Sequence, residues 1–148
     1  MKVTTSCSGR FHIFDQACQL HRHRLLYRLV NDYPKWITRR WGLPDEKVIA
    51  LRVNGVLSRL SRYLSPYLSG QLQSDVTKHV HSVFSRRLAE NFPEDTDVFI
   101  GLSSFCYEAI CKGKNAGIRT IVDHGSLHQA TERDLVLEEG ERWGFSMD

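Results

Sequence analysis

Five short strand-forming runs alternate with amphipathic stretches along the chain, and this alternation restricts the fold more than any other feature. The runs are KVTTSC (2–7), RLLYRLV (24–30), KVIALRV (47–53), DVFIGL (97–102) and IRTIVD (118–123). Segments such as VFI and TIV are continuously apolar, which suits strands covered on both faces. Repeated strand-then-helix order predicts βαβ units and a parallel sheet. The expected fold is therefore a doubly wound α/β sandwich, a single domain over residues 1–148. Its ligand crevice should lie at the carboxyl ends of the strands, where the strand order reverses.

Helical spacing is clear between the runs. Ile13, Phe14, Ala17 and Leu20 share one face after the first run. Val56, Leu57, Leu60, Tyr63, Leu64 and Tyr67 form a stripe, with Arg59, Arg62 and serines opposite. That stripe is expected to face the core, and Pro66 to kink or end its helix. Leu72, Val76, Val80, Val83, Phe84, Leu88 and Phe92 mark a longer helix. A further helix is expected over 104–117 with Gly117 as its C-cap, and a last one from Ser126.

No run approaches the length of a membrane-spanning helix, and MKVTTSCSGR lacks the apolar core of a secretory leader. Cys7, Cys18, Cys106 and Cys111 form no CxxC pair, so reduced thiols and a cytoplasmic setting are expected. Charge is uneven. Residues 21–62 carry ten Lys and Arg against three carboxylates, whereas residues 123–148 carry seven carboxylates against two Arg. The basic half is either a solvated face or a surface for phosphates or anionic lipid, which would place the chain peripherally on a membrane. Basic and aromatic residues do not interleave as a nucleic-acid platform, so no nucleic-acid partner is expected.

The strand ends hold the candidate site. In VDHGSLHQ, Asp123, His124, Gly125 and Ser126 lie where the fifth run meets its helix. Ser126 and Gln129 have capping-box spacing, and His128 falls in the first turn. The stretch reads equally as a strand stop with a cap or as the floor of a site. SCSGRFH brings Ser8, Gly9, Arg10 and His12 to the first strand end; LSSF brings Ser103 and Ser104 to the fourth; RVNG places Asn54 after the third. The donor-rich set Gly9, Arg10, His12, Ser103, Ser104, Asp123, His124, Ser126 and His128 suits a polyhydroxylated or phosphorylated ligand. A GxGxxG fingerprint, a GxSxG elbow and an HExxH pair are all missing, so no dinucleotide cofactor, serine nucleophile or metal is expected.

KVTTSCSGRFHIFDQACQL, DVFIGLSSFCYEAICKGKNAG and VDHGSLH…EEGERWG together resemble the N-terminal, Rossmann-like domain of a GT-B glycosyltransferase of the group 1, or family 4, type. The resemblance runs nearly end to end and rests on the order and spacing of these segments. It implies an acceptor-side half facing a second domain that binds the nucleotide-sugar. Gly9, and with it Arg10, would approach the donor's diphosphate and sugar. His128, or His124, would contact the donor sugar as the catalytic imidazole. Transfer with retention and without a bound metal is implied. The donor domain and its Glu-rich motif have no counterpart in these 148 residues, which implies a truncated product, a fragment or one half needing a partner, inactive alone. The alternative is a non-enzymatic α/β binding or regulatory module for a sugar or phosphate.

Overall fold

A computed structural model describes residues 1–125 and 129–145 of the chain. Five strands form one sheet: β1 (Val3–Cys7), β2 (Leu26–Asn31), β3 (Val48–Ala50), β4 (Val98–Leu102) and β5 (Arg119–Asp123). Their spatial order is β3-β2-β1-β4-β5, and every pairing is parallel. The order turns back between β1 and β4, so the loops after these two strands diverge and open a crevice. The doubly wound Rossmann-like expectation is met.

Strand alternation divides the core between the two faces of the sheet. Leu29 joins Cys7, Ile13, Phe14, Ala17, Leu43 and Leu102 beneath α1 (His12–Arg22). Val30 joins Phe84, Leu88, Phe92, Phe99, Cys106 and Ala109 on the other side. There α4 (Gly70–Glu90) and α5 (Tyr107–Asn115) supply the cover. Ser69 caps α4, its hydroxyl accepting from the Leu72 amide. Gly117 follows α5 with φ +74°, the left-handed geometry of a helix stop.

Four expectations need correction. The third strand ends at Ala50, and Arg52 already begins α3 (Arg52–Leu64), so Asn54 lies in a first helical turn and not in a strand-end loop. The segment after β2 contains a helix that its composition did not announce, α2 (Lys35–Arg40). The apolar stripe of α3 faces outward: Val56 is 64% exposed, Tyr63 73% and Tyr67 79%, with Leu60 and Leu64 also exposed. Its buried residues are instead Asn54 and Gly55. Finally, β5 is not covered on both faces, Ile121 and Val122 being 44% and 45% exposed. The last helix, α6 (Gln129–Arg142), follows it; the Ser126 half of the proposed capping box lies outside the described residues.

Gly55 is where α3 comes closest to the sheet. A Cβ there would overlap the backbone carbonyl of Asp32 and reach 2.8 Å from Arg59 Nη1. Alanine is the better helix former by about 1 kcal/mol. Overpacking against backbone, which cannot rotate away, costs about 1–3 kcal/mol. Gly55→Ala should therefore lower the denaturation midpoint despite its gain in propensity. An unchanged or raised midpoint would mean that α3 does not sit this close to β2.

Candidate functional site

The site begins where β1 ends. Gly9 has φ +78°, a conformation that the chain reaches most easily at glycine. The exit of β2 holds this turn. Asp32 Oδ1 accepts from the Gly9 amide at 2.7 Å, and Asp32 Oδ2 from Ser8 Oγ at 3.0 Å. Asn31 Nδ2 donates to the carbonyls of Cys7 at 2.7 Å and Gly9 at 2.9 Å. Both residues are almost fully buried. The Gly9 N–H is thus already engaged. What the glycine offers a ligand is close approach to its bare Cα.

Beside this turn lies a cleft of about 450 Å³. Gly9, Arg10 and Phe11 form one wall. Asp32 and Tyr33 form its base, α3 contributes Gly55, Ser58, Arg59, Ser61 and Arg62, and α4 contributes Thr77 and His81. The outward turn of the apolar stripe is what brings the Arg and Ser face of α3 into the cleft. Aromatic rings set the cations. Arg59 lies 5.1 Å from the Tyr33 ring centre and donates to the Gly55 carbonyl at 2.8 Å. Arg10 lies 4.8 Å from the Trp41 ring, and Tyr33 meets Trp41 edge to face at 5.0 Å. His81 packs on Phe105 with ring centres 4.2 Å apart, and burial pulls its pKa below the ordinary imidazole value.

A second cluster sits at the β5 end of the same rim. His12 Nε2 lies 3.0 Å from Asp123 Oδ2, tying the first turn of α1 across to β5. Gly125 fits against that imidazole, since a Cβ there would stand 3.3 Å from His12 Cε1. The Ser103 amide donates to the Asp123 carbonyl at 2.8 Å. His124 is exposed just beyond the pair.

Of the residues singled out by sequence, Gly9 and Arg10 line the cleft, and His12, Asp123 and Ser103 meet beside it. Ser104, with φ +71°, lines an adjoining shallow depression with Lys78, Ser85 and Glu108, which shares His81 with the cleft. Ser126 and His128 lie outside the described residues. Asn31, Asp32, Tyr33, Arg59, Arg62 and His81 were not foreseen in the site. The NDYP segment carried the one available signal for the first three: hydrogen-bonding side chains at a strand exit. No group of three or more His, Cys, Asp or Glu capable of holding a metal occurs among the described residues.

The thiols report on how tightly the Gly9 turn is sealed. Burial pushes Cys7 up to about 12, with Asn31 opposing, and Cys106 up to about 11. Cys111 is exposed. In native protein at pH 8, a thiol reagent should label Cys111 first and Cys18 more slowly, leaving Cys7 and Cys106 until denaturant is added. Rapid native labelling of Cys7, read by peptide mass mapping, would show that the Gly9 turn opens.

Searches against protein-family models, curated proteins and solved structures return no match to this chain.

Proposed function

We propose that the chain is the acceptor-side half of a retaining, GT-B type sugar transferase, working against a second α/β domain that carries the nucleotide-sugar. The observation that carries this reading is the His12–Asp123 contact at 3.0 Å. It joins the Gly9 turn and the end of β5 into one rim beside the cleft, where a saccharide bridging two domains would lie. The bare Cα of Gly9 lets the donor come close. The first turn of α1 has no side-chain cap, and with the Phe14 amide already donated to the Phe11 carbonyl, the amides of His12 and Ile13 are those left for the diphosphate. His12, oriented by Asp123, and His124 present imidazoles to the reacting sugar, with His128 expected to act alongside them. The acceptor occupies the cleft lined by α3 and α4.

The test is a chimera joining this chain to the donor-binding domain of a GT-B transferase, with nucleotide-sugar binding and hydrolysis both measured. Binding and turnover are expected, and alanine at His12, His124 or His128 should slow turnover by about 10²–10⁴-fold for any imidazole that moves a proton. A folded chimera that binds no nucleotide-sugar refutes the reading.

One observation favours the non-catalytic alternative, a sugar- or phosphate-binding module. Among the described residues the one carboxylate lining the cleft is Asp32, and both its oxygens are already used by Ser8 and Gly9. On this alternative the isolated chain binds its ligand and turns nothing over.

The outward stripe of α3 bears on where the chain works. Val56, Leu60, Tyr63, Leu64 and Tyr67 are exposed together, and residues 47–74 contain no carboxylate that would repel an anionic surface, while Lys47 and Arg52 lie outside the cleft lining. Such a face suits the surface of an anionic bilayer. No helix among the described residues is long and apolar enough to cross one. Wild-type chain should co-sediment with phosphatidylglycerol vesicles, and Leu60→Ser with Tyr63→Ser should lose most of that binding. Sedimentation unchanged by the double substitution would remove the membrane reading.

A further inference from the structure

We propose that the cleft between α3 and α4 is an oxyanion site for a phosphorylated ligand, with Arg59 and Arg62 as the cations that hold the phosphoryl group. Four observations converge on it. First, Arg59 and Arg62 line the cleft, yet neither forms an ion pair with a carboxylate among the described residues. By contrast, Arg10 has Asp15 at 3.9 Å and Arg39 is paired with Asp45. Second, Arg59 is held in place by the Gly55 carbonyl and the Tyr33 ring rather than by an anion. A guanidinium fixed in this way retains N–H groups for a ligand and loses little freedom on binding.

Third, the same face carries unused hydroxyl capacity. Ser58 Oγ is buried at the cleft wall without a hydrogen-bond partner. Ser61 already donates its hydroxyl hydrogen to the Ser58 carbonyl at 3.0 Å, whereas Ser65, one turn on, lines the cleft. Buried polar groups are rarely left unpaired, because each orphan costs about 1–3 kcal/mol. A side-chain rotation that turned the Ser58 hydroxyl to a ligand oxygen in the cleft would remove that cost. Fourth, Asp32 is the one carboxylate in the lining among the described residues, and its two oxygens are taken by Ser8 and Gly9, so Arg59 and Arg62 outnumber it. Cations arriving from one helix and outnumbering the single carboxylate of the floor favour an anion with several acceptor oxygens. A phosphate monoester has that chemistry, whether a soluble sugar phosphate or the headgroup of a lipid supplies it. Calling this ligand the acceptor rests on the sugar-transfer reading; the binding itself does not.

The experiment is calorimetric titration of the full chain with inorganic phosphate, glucose 6-phosphate and glycerol 3-phosphate, the last standing for a lipid headgroup. Arg62→Gln is the main variant, because Arg62 is exposed. Arg59→Lys is the second, and Arg40→Gln, an exposed cation of α2 away from the cleft, is the charge control. Thermal midpoints without ligand separate folding from binding. At least one phosphate ester should bind at about 1 mM or tighter. Arg62→Gln should weaken it about tenfold or more, in keeping with a charge-assisted hydrogen bond, while Arg40→Gln leaves it unchanged. Tighter binding of glucose 6-phosphate assigns the source to a soluble sugar phosphate, and tighter binding of glycerol 3-phosphate to a lipid; either supports the site. Absence of binding by all three probes, or equal weakening by Arg62→Gln and Arg40→Gln, overturns it. Phosphate binding by a chain whose chimera ignores nucleotide-sugars would preserve this site and refute sugar transfer alone.

Discussion

The exit of β2 governs the rest of the rim. In the parallel pairing of β1 with β2, Cys7 stands in register with Asn31. Both strands therefore end on the same side, and the next side chain of one reaches the turn of the other. Asn31 spends its amide hydrogens on the Cys7 and Gly9 carbonyls, and its oxygen accepts from the Tyr33 amide at 2.7 Å. Tyr33 is thereby fixed beneath Arg59. Asp32 closes the Gly9 turn with its carboxylate, and its carbonyl sets how near α3 can come at Gly55. Each bond contributes only about 1 kcal/mol net, but each would leave a buried orphan if broken. An antiparallel pair would send the two exits to opposite ends and dissolve the arrangement.

The behaviour of α3 follows from this close approach. A helix packs on the face that fits, and fit at Asp32 demands a small side chain. Asn54 and Gly55 meet that demand, whereas Val56, Leu60 and Tyr63 do not. The apolar stripe is left outside, and the Arg and Ser face turns toward the cleft. The cost is an exposed apolar surface of the kind that marks a docking site. A further cost is the buried Asn54 amide, whose nitrogen and oxygen both lack partners. Hydrophobicity alone would orient the helix the other way, so a steric contact with one carbonyl outweighs the pattern here.

That contest explains what could be read from the residues. Continuous apolar runs such as VFI and the strand-helix alternation report burial and order, both local properties of sequence, and the parallel sheet was legible from them. Gly9 was legible because a turn between a strand and a helix asks for such a residue. The stripe of α3 was legible as a stripe, but its direction depends on Asp32, more than twenty residues away. Asn31 and Asp32 look like an ordinary turn opener until the register with Cys7 is known. The division at Ala50 was hidden because Leu51 and Val53 carry the apolar run on past it, and the hydrogen bond of the Leu51 amide to the Asn31 carbonyl, which ends the pairing, is a tertiary fact. His12 and Asp123 were each placed at strand ends, but only the order β1-β4-β5 shows that they can meet.

The distribution of charge gives the rim a direction. β3, which leads into the basic α3, and β5, which leads into α6 with Glu132, Asp134, Glu138, Glu139 and Glu141, are opposite edges of the sheet. Four inter-strand spacings separate these edges, about 19 Å at the usual strand distance. That exceeds the screening length of about 8 Å at physiological ionic strength. Carboxylates as far off as the β5 edge are therefore largely screened at the β3 edge. An anion approaching the rim meets its attraction at Arg59 and Arg62, on the α3 side of the cleft. A ligand held there by its anionic end would extend its neutral part across Gly9 toward His12 and Asp123.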